Sequence, residues 1–409
     1  MNPALSLGEL RLAELREFYR AELFDQFVPF MDRHIIDYEY GGFLCHADRR
    51  GNLLSTEKVT WYVGRGVWVY SFLYSHFGRN PEFLAVARKA VEFLMKTRPA
   101  TPGTAWPKRF TREGKPLTPP DPEVYGDLFI AEGLAAYSLA SGEGRWRREA
   151  RDILLQCVRA YDSADYAPEI GQTYLGPDAP PLAGARVLAV WMVLLRLATQ
   201  MLEAEADAEI EAVADRSLDA IFRRHLNPEF DLMNELLAHD FAPAPNPYGQ
   251  LVYIGHAIET LWMGMSEARR RGDESLWSTA ARLFRRHVEV AWDDVYGGVF
   301  RNQRDVDRNI WDVDKVLWEQ LEVLVGCLAM VEHNGDSWAC ATFERMFGYV
   351  RDRFRLAAHG LPLYMFTADR KATFTPDADR IENYHLPRYL MLNLLALDRM
   401  LRRTAGTGR

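Results

Sequence analysis

The chain has 409 residues, 48% apolar and 26% charged, with 28 glycines and 21 prolines. Gly and Pro sit at the ordinary globular background, which excludes collagenous, low-complexity and disordered classes. A net charge of −8, with Arg and Lys dispersed along the chain, excludes a nucleic-acid or anionic-membrane surface, since nothing is gathered to displace phosphate counterions.

A 3.6-residue apolar period predicts helices over roughly 7–31, 58–78, 80–97, 122–141, 144–165 and 183–204, and then 206–225, 248–272, 274–293, 310–333, 335–355 and 382–405. Asp121-Pro122-Glu123 reads as a cap, a first-position proline and a first-turn acid. Gly272-Asp273 and Gly335-Asp336 each read as one helix stopping and the next being capped. The acidic stretch Glu203–Asp215 keeps an apolar stripe through Ile210 and Val213 and reads as a solvated helix face. The longest apolar run, Val187–Leu195, is closed by Arg196 at less than half a membrane span.

The opening residues meet charges too early for a signal peptide, and Cys45, Cys157, Cys327 and Cys340 form no C-x-x-C pair. A reducing cytoplasmic location is expected, with no membrane partner. No Ser/Gly/Pro-rich linker divides the chain, so one domain over 1–409 is expected, with 403–409 as a flexible tail.

Asp37-Tyr-Glu-Tyr-Gly-Gly-Phe-Leu is echoed by Asp293-Asp-Val-Tyr-Gly-Gly-Val-Phe, and each leads to a helix opening with Lys, at Lys58-Val-Thr-Trp61 and Lys315-Val-Leu-Trp318. One unit recurs: a Tyr-Gly-Gly turn, a short hairpin, then a helix carrying an inward aromatic. Twelve antiparallel helices with a recurring unit predict an all-α ring of six hairpins, an (α/α)6 barrel with short β-hairpins in the loops at one mouth.

Trp61 and Arg65 lie i, i+4 on one helix face, as do Trp318 and Glu322. Ring closure would bring an Arg and a Glu to the cavity from two helices, each beside an aromatic. Such a pocket suits a polyol, the ring packing on sugar C–H groups while the charges take hydroxyls. The plainer alternative is a salt bridge in the core. His256 and Glu259 share a face at i, i+3, where the carboxylate would hold the imidazole in one tautomer as a general base; a satisfied core histidine is the alternative. His385 lies just before Pro387 at the entry to the last helix, pointing from the mouth, and the loop 227–240 with Glu235 lies before the His256 helix. The remaining histidines read as surface or loop residues. No second His pair supports a metal site, and no nucleotide or Gly-x-Ser-x-Gly motif is present.

Taken together, Gly41-Gly-Phe…Asp48, Trp61-x-x-Gly-Arg65-x-x-Trp68, Gly255-His256-x-x-Glu259-x-x-Trp262, Lys315-x-x-Trp318-x-x-x-Glu322 and Tyr384-His385-x-Pro-Arg388 resemble the N-acylglucosamine 2-epimerase family. That family includes renin-binding proteins, cellobiose 2-epimerases, and mannose and sulfoquinovose isomerases. The resemblance implies an (α/α)6 barrel that rearranges C1–C2 of a free reducing sugar without a cofactor, His256 and His385 being the acid/base pair. Arg65, Glu259, Glu322, Trp61 and Trp318 are implied pocket residues, joined by Tyr125 of the Tyr-x-Asp-x-Phe helix opening. The helix over 182–196 lacks the histidine of the cellobiose epimerases and sugar isomerases, and resembles the acylglucosamine epimerases better.

The expected activity is epimerisation of an N-acylhexosamine or hexose through an enediolate. The alternatives are an aldose–ketose isomerase of the mannose isomerase type and an inverting glycosidase on the same kind of barrel, which would pair Glu259 with Glu322 or Glu235 as its two carboxylates. A non-catalytic binding module is the remaining class. The partner expected is a small sugar, with a homodimer left open.

Overall fold

Extended steps set the inner helices in place. Lys58–Val59, Arg186–Val187, Val252–Tyr253 and Lys315–Val316 are two-residue strands, and each runs straight into a helix. Every pair carries a β-branched valine, which favours the extended backbone seen at these positions. The computed structural model describes residues 6–168, 175–176, 178–374 and 379–406.

Among the described residues, twelve helical rods follow in order. α1 begins at Leu12–Ala21 and continues through a π-helical segment, Glu22–Phe27, into Val28–His34. Next come α2 (Thr60–His76), α3 (Pro81–Lys96), α4 (Tyr125–Ser141), α5 (Arg145–Tyr161) and α6 (Leu188–Ala204). α7 (Ala208–Asp219) ends in a π-helical segment, Ala220–His225. The last five are α8 (Ile254–Arg271), α9 (Glu274–Ala291), α10 (Leu317–Asn334), α11 (Ser337–Arg353) and α12 (His385–Gly406).

Burial sorts them into two rings. α4 is buried without a break from Gly126 to Ser138, the mark of a helix enclosed on every side. α5 buries only Ala150, Ile153, Leu154, Cys157 and Tyr161, a single stripe. α2 packs on α4, and contacts continue through α6, α8, α10 and α12 back to α2; α3, α5, α7, α9, α11 and α1 cover them from outside. This is an (α/α)6 barrel. Because an outer helix intervenes between successive inner ones, all six inner helices run parallel and their N-termini share one mouth. α2 and α4 come closest at two glycines, where a Cβ on Gly133 would stand 2.6 Å from the Gly64 carbonyl oxygen.

The repeated turn is built identically twice. Gly41 N–H donates to the Asp37 carbonyl and Gly297 N–H to that of Asp293, both at 2.8 Å, with positive φ at all four glycines of the two pairs. Buried Lys58 then ties the helix entry to the turn through the Gly41 carbonyl (2.6 Å) and Asp37 (2.9 Å); Lys315 does so through the Gly297 carbonyl (2.7 Å) and Asp293 (3.2 Å). Arg112 and Arg370 close each knot with two 3.0 Å bonds to the same aspartate. Burial alone would raise the Asp37 carboxyl, but these cations hold it at about 2.

Several helix starts lie inside the expected bounds. Residues 310–316, expected as helix, are instead Ile310–Asp312, paired with Asn302–Asp305, and the entry strand Lys315–Val316. The β-branched side chains there are apolar enough to continue the helical pattern but prefer the extended ladder. Asp121 accepts the Glu123 N–H at 3.0 Å, yet α4 begins only at Tyr125. Asp273 and Asp336 cap α9 and α11 as expected. The expected tail over 403–409 overlaps α12, which reaches Gly406, and 407–409 lie outside the described residues. Among the described residues no helix is long and apolar enough to cross a membrane.

Candidate active site

The mouth at the inner N-termini holds a cavity of about 290 Å³. Trp61, Arg65, Tyr125, His256, Glu259, Trp318 and His385 all line it. Glu322 does not; it is fully buried and reaches the cavity only through the residues it holds. Six helix N-termini point toward this space, so their partial positive charges favour an anion there.

The two imidazoles share one indole as a neighbour. The Trp318 ring lies 5.6 Å from that of His256 and 4.9 Å from that of His385, centroid to centroid. Tyr253, parallel to Trp318 within 8°, backs His256 at 4.4 Å. Each histidine is fastened by a carboxylate with no exposure: His256 Nδ1 is 2.9 Å from Glu235 Oε1, and His385 Nδ1 is 2.9 Å from Glu322 Oε1. A carboxylate accepts, so Nδ1 carries the hydrogen in both rings and Nε2 is the basic nitrogen. Burial pushes His385 down to about 3 against the pull of the Glu382 and Glu259 carboxylates, so it is neutral at ordinary pH.

The carboxylate expected to orient His256 was Glu259, three residues on; the structure corrects this to Glu235. Glu259 turns away to bond Arg388. Arg388 Nη2 also bonds Glu322 at 2.6 Å and lies 3.1 Å from His385 Nδ1. Glu259, Glu322 and His385 bring donor atoms within 4.8 Å of one another, a spacing a metal ion could use. The Arg388 guanidinium supplies the positive charge of that cluster.

Arg65 stands over three aromatic faces, those of Phe129 (4.0 Å), Tyr384 (4.8 Å) and Trp61 (5.7 Å), with Glu382 3.8 Å away. Its pairing is thus to Glu382 rather than to Glu322. Glu382 also caps α12, accepting the Tyr384 and His385 N–H groups at 3.0 and 2.8 Å. Deeper in, Glu132 accepts the Tyr384 hydroxyl at 2.8 Å and lies 3.6 Å from Arg196.

Two histidines read as surface or loop residues prove fully buried, and they hold the loop that carries Glu235. His225 Nδ1 bonds the Asn234 carbonyl at 2.8 Å, while His287 Nε2 accepts the Met233 N–H at 3.0 Å. Burial pushes both to about 4. Glu235 itself is pinned through its backbone to Leu251 and Leu188, each at 2.9 Å.

Sequence reasoning left Arg388, Glu132 and Glu382 unassigned, and offered Glu235 as part of a loop at the mouth and as a glycosidase carboxylate, not as the partner of His256. The available signal was position: Arg388 lies i+3 from His385, and Glu132 is an acid in the middle of an apolar inner helix whose other acid, Asp127, lies in the first turn.

The family description N-acylglucosamine 2-epimerase (GlcNAc 2-epimerase) matches residues 21–387. The chain belongs to this family. It is 27% identical over 391 residues to the N-acylglucosamine 2-epimerase of Bos taurus, covering 93% of this chain and 91% of that one. Cellobiose 2-epimerase from Bacillus thermoamylovorans superposes with a TM-score of 0.79 at 16% identity, over 94% of this chain and 99% of that one. A D-mannose isomerase superposes at 0.73 and 15%, over 95% and 98%. Those two structures share the barrel. As a member of the N-acylglucosamine 2-epimerase family the chain is an isomerase in the broad sense that includes epimerases.

Proposed function

We propose that the chain is a sugar 2-epimerase whose two imidazoles, His256 and His385, exchange the proton at C2 of an open-chain aldose, an N-acylhexosamine or hexose. The observation that carries this reading is the pair of Nδ1-anchored imidazoles that neighbour Trp318 and line one cavity.

The neutral His385 Nε2 takes the C2 proton as the C–H bond breaks. The electron pair moves into the C1–C2 bond, and the C1 carbonyl oxygen becomes an enediolate oxyanion. Arg65 and the inner helix N-termini stabilise that charge. His256, as an imidazolium balanced by the Glu235 carboxylate, returns a proton to the opposite face of C2. In the reverse direction the two exchange roles. Return to C1 instead would yield the ketose.

Trp61 and Trp318 offer flat faces for sugar C–H groups, and Ala189, Met192 and Val193 give an apolar wall suited to an acyl methyl. The carboxylates a glycosidase would need are otherwise engaged: Glu259 and Glu322 with Arg388, Glu235 with His256.

The test is proton NMR in heavy water with N-acetylmannosamine, mannose, glucose, fructose and cellobiose. A single deuterium entering at C2 together with the 2-epimer is expected. No exchange with any of these sugars, alongside release of new reducing ends from an oligosaccharide, would reject the reading.

A further inference from the structure

The hollow of the barrel does not end at the catalytic chamber. Toward the C-terminal ends of the inner helices lies a second cavity of about 620 Å³, lined by all six of them. Arg196 lines both cavities and stands between them. Trp68 and Trp262 line the rear cavity and are wired upward. Trp68 Nε1 donates to Gln200 at 2.8 Å, and Gln200 donates to the Glu132 carbonyl at 3.2 Å. Trp262 Nε1 donates to Glu322 Oε2 at 2.7 Å, and the other oxygen of that carboxylate holds His385.

The lining has a definite chemistry. Four guanidiniums, from Arg79, Arg196, Arg269 and Arg399, face two carboxylates, Glu203 and Glu332. Glu332 is already shared by Arg399 and Arg269. Arg79 is exposed and has no ion-pair partner among the described residues. The Ser71 hydroxyl, on a side chain with no exposure, lines the cavity without a hydrogen-bond partner.

We propose that the rear cavity binds a small organic anion with a flat apolar body, and that its occupancy is felt at His385 through Trp262 and Glu322. The flat body packs against Phe72, Leu139 and Ala329, which keep surface open to the cavity, and the acid group takes the excess positive charge led by Arg79. Binding stands apart from the proposed function. The relevance of the coupling to turnover rests on it.

The probe is anilinonaphthalene sulfonate, titrated by fluorescence into the full chain. One saturable site is expected, with affinity reduced by about ten-fold or more in Ala329→Trp, which fills the hollow, and in Arg79→Ala. Affinity stays unchanged in Trp318→Ala, which alters only the upper chamber. The coupling is read without activity, from the His385 imidazole nitrogen resonance, assigned by its loss in His385→Gln. That resonance shifts on probe binding in the wild type and stays put in Trp262→Phe. Absent binding, unaltered affinity in both rear-cavity variants, or loss of binding in Trp318→Ala overturns the site. A resonance unmoved by saturating probe overturns the coupling. Deuterium exchange in the same samples tests the proposed function separately.

Discussion

Replacing Glu235 by Gln isolates the charge beneath His256. The carboxylate has no exposure and accepts the Nδ1 hydrogen at 2.9 Å. The Gln amide oxygen can still accept that hydrogen, so the ring keeps its orientation while the imidazolium loses its counter-charge. A hydrogen bond to a charged group is worth about 1.5–3 kcal/mol net, against about 1 kcal/mol for a neutral one. A unit pair about 4 Å apart attracts by about 4 kcal/mol at an effective dielectric of 20. Together these put the lost stabilisation of the imidazolium near 3 kcal/mol, or about a hundred-fold in the proton-transfer step. The assay is C2 deuterium incorporation under saturating sugar, with kcat falling, KM nearly unmoved and the acid limb of the pH profile displaced. Burial pushes the Glu235 carboxyl up, so its charge is costly to bury and E235Q should unfold no earlier than wild type. Exchange within two-fold of wild type and an unchanged pH profile would refute this reasoning.

H256N and H385N should each lower C2 exchange by about a thousand-fold or more with unchanged circular dichroism; near-wild-type exchange in either removes that residue from the acid/base pair. Arg388→Met strands the Glu259 and Glu322 carboxylates in a buried site and should cost about 3–5 kcal/mol of stability, read from urea midpoints. Stability should also fall with acid well before the carboxylates titrate. His225 and His287 sit near 4 in the fold against an ordinary 6.5. Between these values the unfolded chain holds protons that the native chain excludes. Their contribution is therefore complete above pH 6.5 and is lost as pH falls toward 4, at on the order of 3 kcal/mol for each histidine. Urea midpoints measured from pH 7 to 4.5 test this: H287Q should flatten the slope by about one proton, and a flat wild-type profile would contradict it.

How much of this could be read from residues alone depends on how far apart the partners lie. Both Tyr-Gly-Gly turns were legible because Asp, Gly-Gly and Lys act within one local knot, and the sequence repeats that knot at Asp37 and Asp293. Helix existence was legible for the same reason, since the apolar stripe of α5 or the unbroken run of α6 is a local pattern. Helix starts were not, because a two-residue strand such as Lys315–Val316 is too short to show alternation and its valine extends the apolar run. His256 and His385 stood out by their company, but the carboxylates that set their tautomers come from elsewhere, Glu235 from a loop and Glu322 from the preceding inner helix. His225 and His287 lay beyond motif reasoning altogether, since each bonds backbone atoms, which carry no residue identity.

The same division explains why the barrel and the chemistry depend on each other. Glu322, Arg388 and Glu259 are buried charges from three separate inner helices, α10, α12 and α8, and none would be tolerable alone. Closing the ring pairs them and buries His385 beside the cavity; that burial keeps the imidazole neutral, held by one hydrogen bond to Glu322. A perturbation that opens the ring on the side away from these three helices, without touching the histidine, should therefore cost exchange activity before it costs helix content. Gly133→Val is such a change, since a Cβ at this position meets the Gly64 carbonyl where α2 and α4 cross. If G133V kept full exchange while lowering the urea midpoint, closure of the ring would be serving stability alone, and the dependence of His385 on it would be wrong.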